Sequence, residues 1–372
     1  MGARANCSVK AMSSQAKLLP VLHAIANGRT DFALDEFDDG QIAWIIQSGL
    51  GAACFHAAKE NPENLTSRHW PTLTAAEMTA RCIAAEHFEA VTEIIDAARV
   101  CIPQLILLKG ISLADEAYPQ FHWRTMRDID LLVSSESLAR MEKVLRALGY
   151  RQNSALGRRA YDSHHHTMPF FHAERGVWVE VHHHLISSQN RACRDRLFDL
   201  TRVFAEVRKS RFHGRDVYRL SPELQLAYVA VHWAQDFKET GGMMAVLDLV
   251  FLLQRTGLAL SWENLLAWVD GSATAVSLYL LLSYLDSRRL ITFPREVLHR
   301  LSAAQRVFGR RTLAFAHQII DHYLLDGDSY GVFLSRRTLQ IIWDTLALPM
   351  PAACLVLLTP VQLCMPSPLR LH

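Results

Sequence analysis

No CxxC pair occurs in this sequence, and its seven cysteines, Cys7, Cys54, Cys82, Cys101, Cys193, Cys354 and Cys364, are scattered singly. An odd, dispersed set argues against a disulfide framework or a thiolate zinc site and fits a reducing cytoplasm, which is the expected location. Long apolar runs are also missing. The opening MGARANCSVKAMSSQAKLLPVLHAIA lacks the uninterrupted apolar stretch of a signal peptide. Leu339 to Leu363 is very apolar, but Asp344, Pro349, Pro351 and Pro360 interrupt it, so short packed helices are expected rather than a membrane span. Nor does one charge dominate: 39 Lys and Arg against 37 Asp and Glu leave a net +2, so no whole-molecule field calls for a nucleic acid or an anionic membrane. No repeat of fixed period and no low-complexity tract stands out.

What is present is a foldable chain. Half of its 372 residues are hydrophobic and a fifth are charged, which excludes disorder as the dominant state, and the length suits two or three structural units. Apolar spacing of three and four predicts helices through LLPVLHAIA, QIAWIIQSGLGAACFHAA and AAEMTARCIAAEHFEAVTEIIDAARV, the last capped near Thr74 after the loop NPENLTSRHWPTLT. From Gln104 the character changes to short strands, QLILLKG, DIDLLV, HTMPFFHA, VWVEVHHHL and DVYRL, with helices at ISLADEAY and SESLARMEKVLRALGY. A Ser221-Pro222-Glu223 helix start returns the chain to helices. The predicted class is α+β, with a helical region over 1–101, a mixed core over 102–220 and a helical domain over 221–372.

The chemistry concentrates on DIDLLV. Residues i and i+2 of a strand share a face, so Asp128 and Asp130 project together while Ile129 and Leu131 point into the core. Paired carboxylates of this kind suit Mg2+, which prefers oxygen ligands and neutralises charge in phosphoryl and nucleotidyl transfer. Glu180 in VWVEVHHH has the same apolar-acid-apolar setting and is the candidate third ligand. A lone Asp-x-Asp more often decorates a solvated strand; the strand and turn of Leu107-Leu108-Lys109-Gly110 upstream and Trp178-Val179-Glu180-Val181 downstream favour the functional reading.

These residues carry a resemblance. Lys109-Gly110, Tyr118-Pro119, Arg124 and Asp128 to Val133, followed by His166 and Glu180-Val181-His182, resemble the signature of a bacterial group of uncharacterised nucleotidyltransferases within the polymerase-β-like superfamily. The specific motifs lie between Leu107 and Leu185. The resemblance implies a polymerase-β-like core, with Asp128, Asp130 and Glu180 as catalytic metal ligands for Mg2+ or Mn2+ and a nucleoside triphosphate, ATP first, as co-substrate. It also implies an acceptor from biosynthesis: a small molecule, peptide or glycan precursor. Nucleotide-binding positions would be Lys109, Gly110, Ser112, Arg124, His166 and His182, with Arg124 either gripping phosphate or bracing Asp128 or Asp130. Two departures stand out: His183 occupies a position where Trp is usual, and Gly110-Ile111-Ser112 replaces the Gly-Gly or Gly-Ser of the wider superfamily. Gly110 is expected wherever that turn requires positive φ.

Eighteen histidines include the triplets His164-His165-His166 and His182-His183-His184, whose convergence into a transition-metal site is the runner-up chemistry. His232 reads as a packing residue. Asp248, on an apolar helix, requires a partner that the sequence does not identify. Kinase-like phosphoryl transfer would use the same carboxylates. An RNA-modifying or RNA-binding protein would need a basic face, for which Arg151, Arg158-Arg159 and Arg208 to Arg215 are the candidates. Arg127 reads as a solvated residue, and retention of all three carboxylates argues against a catalytically silent module.

Overall fold

The architecture grows from a long helix laid across a mixed sheet. In the computed structural model residues 18–325 are described, apart from 29–31, 154–160, 162–163, 189, 237–241 and 257–258. Cys7, Cys354, Cys364, the apolar stretch 339–363 and the pair Arg158-Arg159 therefore lie outside the described residues. Helix α1 spans 18–27. Helix α2 (Asp39–Gln47) opens with a reciprocal cap, in which Asp38 Oδ1 accepts from the Gln41 amide and Gln41 Oε1 accepts from the Asp38 amide. The single helix expected through QIAWIIQSGLGAACFHAA is broken at Gly49, whose φ of +82° separates α2 from α3 (Gly51–Ala58). Helix α4 (Trp70–Ala98) starts one turn before the expected cap: Pro71 fits the first turn, and Thr74 Oγ1 bonds back to the Trp70 carbonyl from inside the helix.

The strands are β1 (Ile106–Leu107), β2 (Asp128–Leu132), β3 (Arg151–Gln152), β4 (Phe170–His172), β5 (Val177–His182), β6 (Arg208–Phe212) and β7 (Arg215–Arg219). They form one sheet in the order β3-β4-β5-β2-β1-β7-β6, with β2–β5 and β1–β7 parallel and the other pairs antiparallel. Helices α5 (Lys109–Glu116), α6 (Leu138–Ala147) and α7 (Leu200–Glu206) fill the connections. The fold is α+β, as expected. Strand β6 was not expected, because Arg-Lys-Ser-Arg offers no apolar alternation. Its arginines are met by acids, Arg208 by Glu116 and Arg211 by Asp216, and those of β7 likewise, Arg215 by Asp96 and Arg219 by Asp115. Arg151 donates to the Arg146 and Tyr150 carbonyls. The basic face required by the RNA reading is thus offset by acids at Arg208, Arg211 and Arg215, while Arg151 keeps its charge.

Beyond the sheet run α8 (Pro222–Asp236), α9 (Gly242–Thr256), α10 (Trp262–Val269), α11 (Ala273–Ser287), α12 (Arg295–Ala304) and α13 (Arg310–Leu325). Among the described residues no helix is long and apolar enough to cross a membrane. Two apolar cores result. One packs Val91, Ile94 and Ile95 of α4 and Met141 and Leu145 of α6 under Ile129, Leu131, Val179 and Val181 of the sheet. The other joins α1–α3 to α8–α13 and reaches the sheet at Ile106 and Leu132. The cores run across residues 101 and 220. Trp44 Nε1 donates to the Leu324 carbonyl and Gln254 Nε2 to the Ala26 carbonyl, tying α2 to α13 and α1 to α9.

One buried polar knot joins the sheet to the helices. Asp248 on α9 accepts from Arg124 Nε at 2.7 Å and Nη2 at 3.0 Å, and from the Tyr118 hydroxyl at 2.7 Å. This is the partner Asp248 required, and burying an ion pair is tolerable only with such fork-like geometry. Replacing Asp248 with Ala strands the Arg124 charge. The expected loss, measured by urea unfolding, is about 3–5 kcal/mol.

Candidate active site

Parallel pairing sets Asp130 directly opposite Glu180 and Leu132 opposite His182. Because strand side chains alternate, Ile129, Leu131, Val179 and Val181 take the face beneath α4, and the acids take the other. Asp128 lies at the start of β2 on that same face, two residues before Asp130.

Cations converge on the middle acid. Asp130 is only 3% exposed, yet its Oδ1 accepts from Lys109 Nζ at 2.8 Å and from His182 Nε2 at 2.7 Å. His182 Nε2 also lies 3.6 Å from Glu180 Oε2, and His166 Nε2 lies 3.8 Å from that oxygen. Burial alone would protonate Asp130, but the Lys109 charge and the His182 hydrogen bond hold its carboxyl far below the usual range. Burial likewise works against an ionised Glu180, but the His182 hydrogen bond together with the His166 and Lys109 charges brings its pKa below the ordinary value. Burial would also discharge His182, yet its contacts with Asp130 and Glu180 raise its pKa. Asp128 goes the other way: burial first, then the Asp130 and Glu180 charges, push its carboxyl up to about 7.

The sequence candidates divide into those that meet here and those that do not. Lys109, His166 and His182 join the carboxylates. Gly110 contributes by being small: a Cβ there would lie 2.7 Å from Met126 Cγ, while its own φ is ordinary. The positive φ expected at this turn falls on Lys109 instead, at +40°. Ser112 and Arg124 are turned to other tasks. Ser112 is buried, and both its hydroxyl and its carbonyl accept from Arg219 Nη1. Arg124 binds Asp248 through Nε and Nη2, and among the described residues it makes no hydrogen bond to Asp128 or Asp130. Arg127 is exposed, as expected.

Sequence reasoning missed Tyr228. This residue is fully buried on α8, and the charges of Lys109, Asp130, Glu180 and Asp128 all act on its phenol. Its hydroxyl has no hydrogen-bond partner among the described residues. No motif flags it, since Leu-Ala-Tyr-Val reads as plain helix core. The histidine triplets do meet, through a bridge between His166 and His182, but they supply no shared three-ligand site among the described residues. His166 Nδ1 donates to the Thr167 carbonyl, and burial lowers its pKa, leaving Nε2 as a lone-pair donor facing Glu180. The remaining histidines line a cavity of about 340 Å³ bounded by His164, His165, His183, His184 and Phe198. The His165 ring centre lies 5.1 Å from that of His182, so the cavity adjoins the acids.

Asp130, Glu180 and His182 present ligand atoms within 4.8 Å of one another. The donor set fits a hard divalent cation, with carboxylate oxygens in the majority. Asp128, raised first by burial and then by the Asp130 and Glu180 charges, adds a third carboxylate to the same face.

A family model described as an uncharacterised nucleotidyltransferase matches residues 38–289, more than half of the chain, which therefore belongs to that family. No curated protein and no solved structure matches it.

The Asp128 shift has a stability consequence. Its folded pKa lies above the unfolded value, so its contribution is full at low pH and is lost as pH rises through about 7. In EDTA, Asp128→Asn is expected to melt above the native protein at pH 8, with the gap narrowing as pH falls towards 5. Saturating Mg2+ should reverse the order at pH 8, because only the native protein then gains a charged ligand.

Proposed function

We propose that this member of the uncharacterised nucleotidyltransferase family transfers a nucleotidyl group from a nucleoside triphosphate, ATP being the first to test, to a hydroxyl or phosphate of a biosynthetic acceptor. The acceptor class is a small molecule, peptide or glycan precursor. The observation that carries the reading is the in-register placement of Asp130 against Glu180 on neighbouring parallel strands, with Asp128 on the same face. Mg2+ or Mn2+ held by Asp128, Asp130 and Glu180 would supply Lewis-acid stabilisation of charge on the triphosphate oxygens.

The chain's own groups have distinct tasks. Lys109 already sits within hydrogen-bonding distance of Asp130, and a short swing would deliver its ammonium to phosphate oxygens. His182 fixes the orientation of Asp130 and so acts as a positioning residue. His166, with its Nε2 lone pair directed to the acid face, is suited to take the proton from an acceptor hydroxyl. In the step itself an acceptor oxygen bonds to the α-phosphorus, the bond from that phosphorus to the bridging oxygen breaks, and pyrophosphate leaves. The histidine-lined cavity is the place assigned to the acceptor, and its volume falls in the range of small-ligand sites.

Labelled nucleotides test this reading. With base-labelled ATP, Mg2+ and cell extract as the acceptor source, label should enter a product, while γ-label should appear in pyrophosphate. Product carrying γ-label alone would assign kinase-like transfer to the same carboxylates. Asp130→Asn should abolish turnover, and Lys109→Met should slow it by about 10²–10³-fold, the usual cost of removing one oriented donor to developing charge. Unchanged product formation by Asp130→Asn would remove the mechanism.

A further inference from the structure

A second cluster of ligating atoms lies outside the acid face. His56 of α3, Glu77 of α4 and His122 of the turn Phe121–Trp123 converge from well-separated parts of the sequence. His56 Nε2 stands 3.4 Å from His122 Nε2 and 3.4 Å from Glu77 Oε1, and His122 Nε2 stands 3.2 Å from the same oxygen. Three near-equal edges make an equilateral triangle of donors. A tetrahedral Zn2+ with bonds of about 2.0–2.1 Å would have ligand-to-ligand edges of about 3.3–3.4 Å.

Hydrogen bonding alone satisfies this triangle poorly. Each neutral imidazole Nε2 carries one proton at most, and the carboxylate carries none, so three edges share two protons. One edge is left with two donors, or two acceptors, facing each other. An ion at the centre would satisfy all three atoms at once. The ligand states are suitable: burial leads both imidazole pKa values down, so the rings are neutral, while Glu77 stays ionised despite being 4% exposed, chiefly through Arg81. An aromatic shell surrounds the rings, with Trp123 tilted 5.1 Å from His56, Phe55 edge-on to His56, and Phe121 edge-on to His122. Such a shell limits water access, a common property of metal sites.

We propose that His56, Glu77 and His122 form a site for a divalent transition metal, Zn2+ foremost, with a fourth position open. Its place in the fold suggests what the ion does. The turn carrying His122 leads directly to Arg124, Met126 and β2, so the ion would staple α3 and α4 to the segment that delivers the catalytic strand. Arg81, whose guanidinium bonds Glu77 Oε1 from an exposed position, competes with the metal for that oxygen. The site is independent of the proposed transfer reaction, and either can fail without the other.

The test uses metal-stripped full-length protein titrated with Co2+, whose visible absorption reports low-coordinate nitrogen and oxygen ligation, and with Zn2+ in competition. Asp130→Asn, which disables the acid face, should keep the bands and the affinity. His56→Gln and Glu77→Gln should weaken Co2+ binding at least ten-fold, with circular dichroism in EDTA confirming that each is folded. Arg81→Ala should bind several-fold more tightly, which a purely structural ion pair would not produce. Loss of the bands in Asp130→Asn, native affinity in both glutamine variants, or unchanged or weaker binding by Arg81→Ala would each overturn the assignment.

Discussion

The parallel register between β2 and β5 is the constraint on which the rest of the molecule depends. It sets Asp130 against Glu180 and, one pleat further, Leu132 against His182. A slip of one residue would turn the acids of one strand into the apolar core beneath α4 and expose Ile129 and Leu131. The core therefore enforces the geometry of the site, since four wholly buried aliphatic side chains on these strands tolerate no other pairing.

Holding acids this close requires compensation, and each compensating group arrives from a different element. Lys109 comes from the start of α5 with positive φ, a conformation that is costly for a side-chain-bearing residue and that concentrates at functional sites. Gly110 allows Met126 to pack against that turn, so the lysine and the entry to β2 are fixed together. His182 comes from β5 itself. The Arg124–Asp248–Tyr118 knot then ties the approach to β2 to α9. Tyr228 closes the arrangement from α8, bringing a buried phenol to the edge of the acid group.

Much of this was legible before the structure because it rests on local periodicity. The alternation in Asp-Ile-Asp-Leu-Leu identified the strand, its core face and its acid face, and the matching pattern around Glu180 identified its neighbour. The α+β class followed from helical spacing giving way to short strands and back. Other features were not legible because they depend on long-range contacts. Arg124 and Ser112 sit within the signature, yet their partners, Asp248 and Arg219, lie more than a hundred residues away. Strand β6 escaped because its side chains are charged or polar, and only Glu116 of α5 and Asp216 of β7, met by Arg208 and Arg211, explain how such a strand can lie against the fold. The break at Gly49 depends on a neighbour as well: a Cβ there would lie 2.3 Å from Thr125 Oγ1, a residue of another segment.

The proposed chemistry requires that the paired strands bind divalent cations. The most direct measurement is a crystal structure with Mn2+ and a non-hydrolysable nucleoside triphosphate, using anomalous scattering to locate the metal. Anomalous density is expected bonded to the Asp130 and Glu180 carboxylates, with the triphosphate lying along the acid face beside Lys109. Manganese absent from those carboxylates while the triphosphate is bound elsewhere would contradict that chemistry.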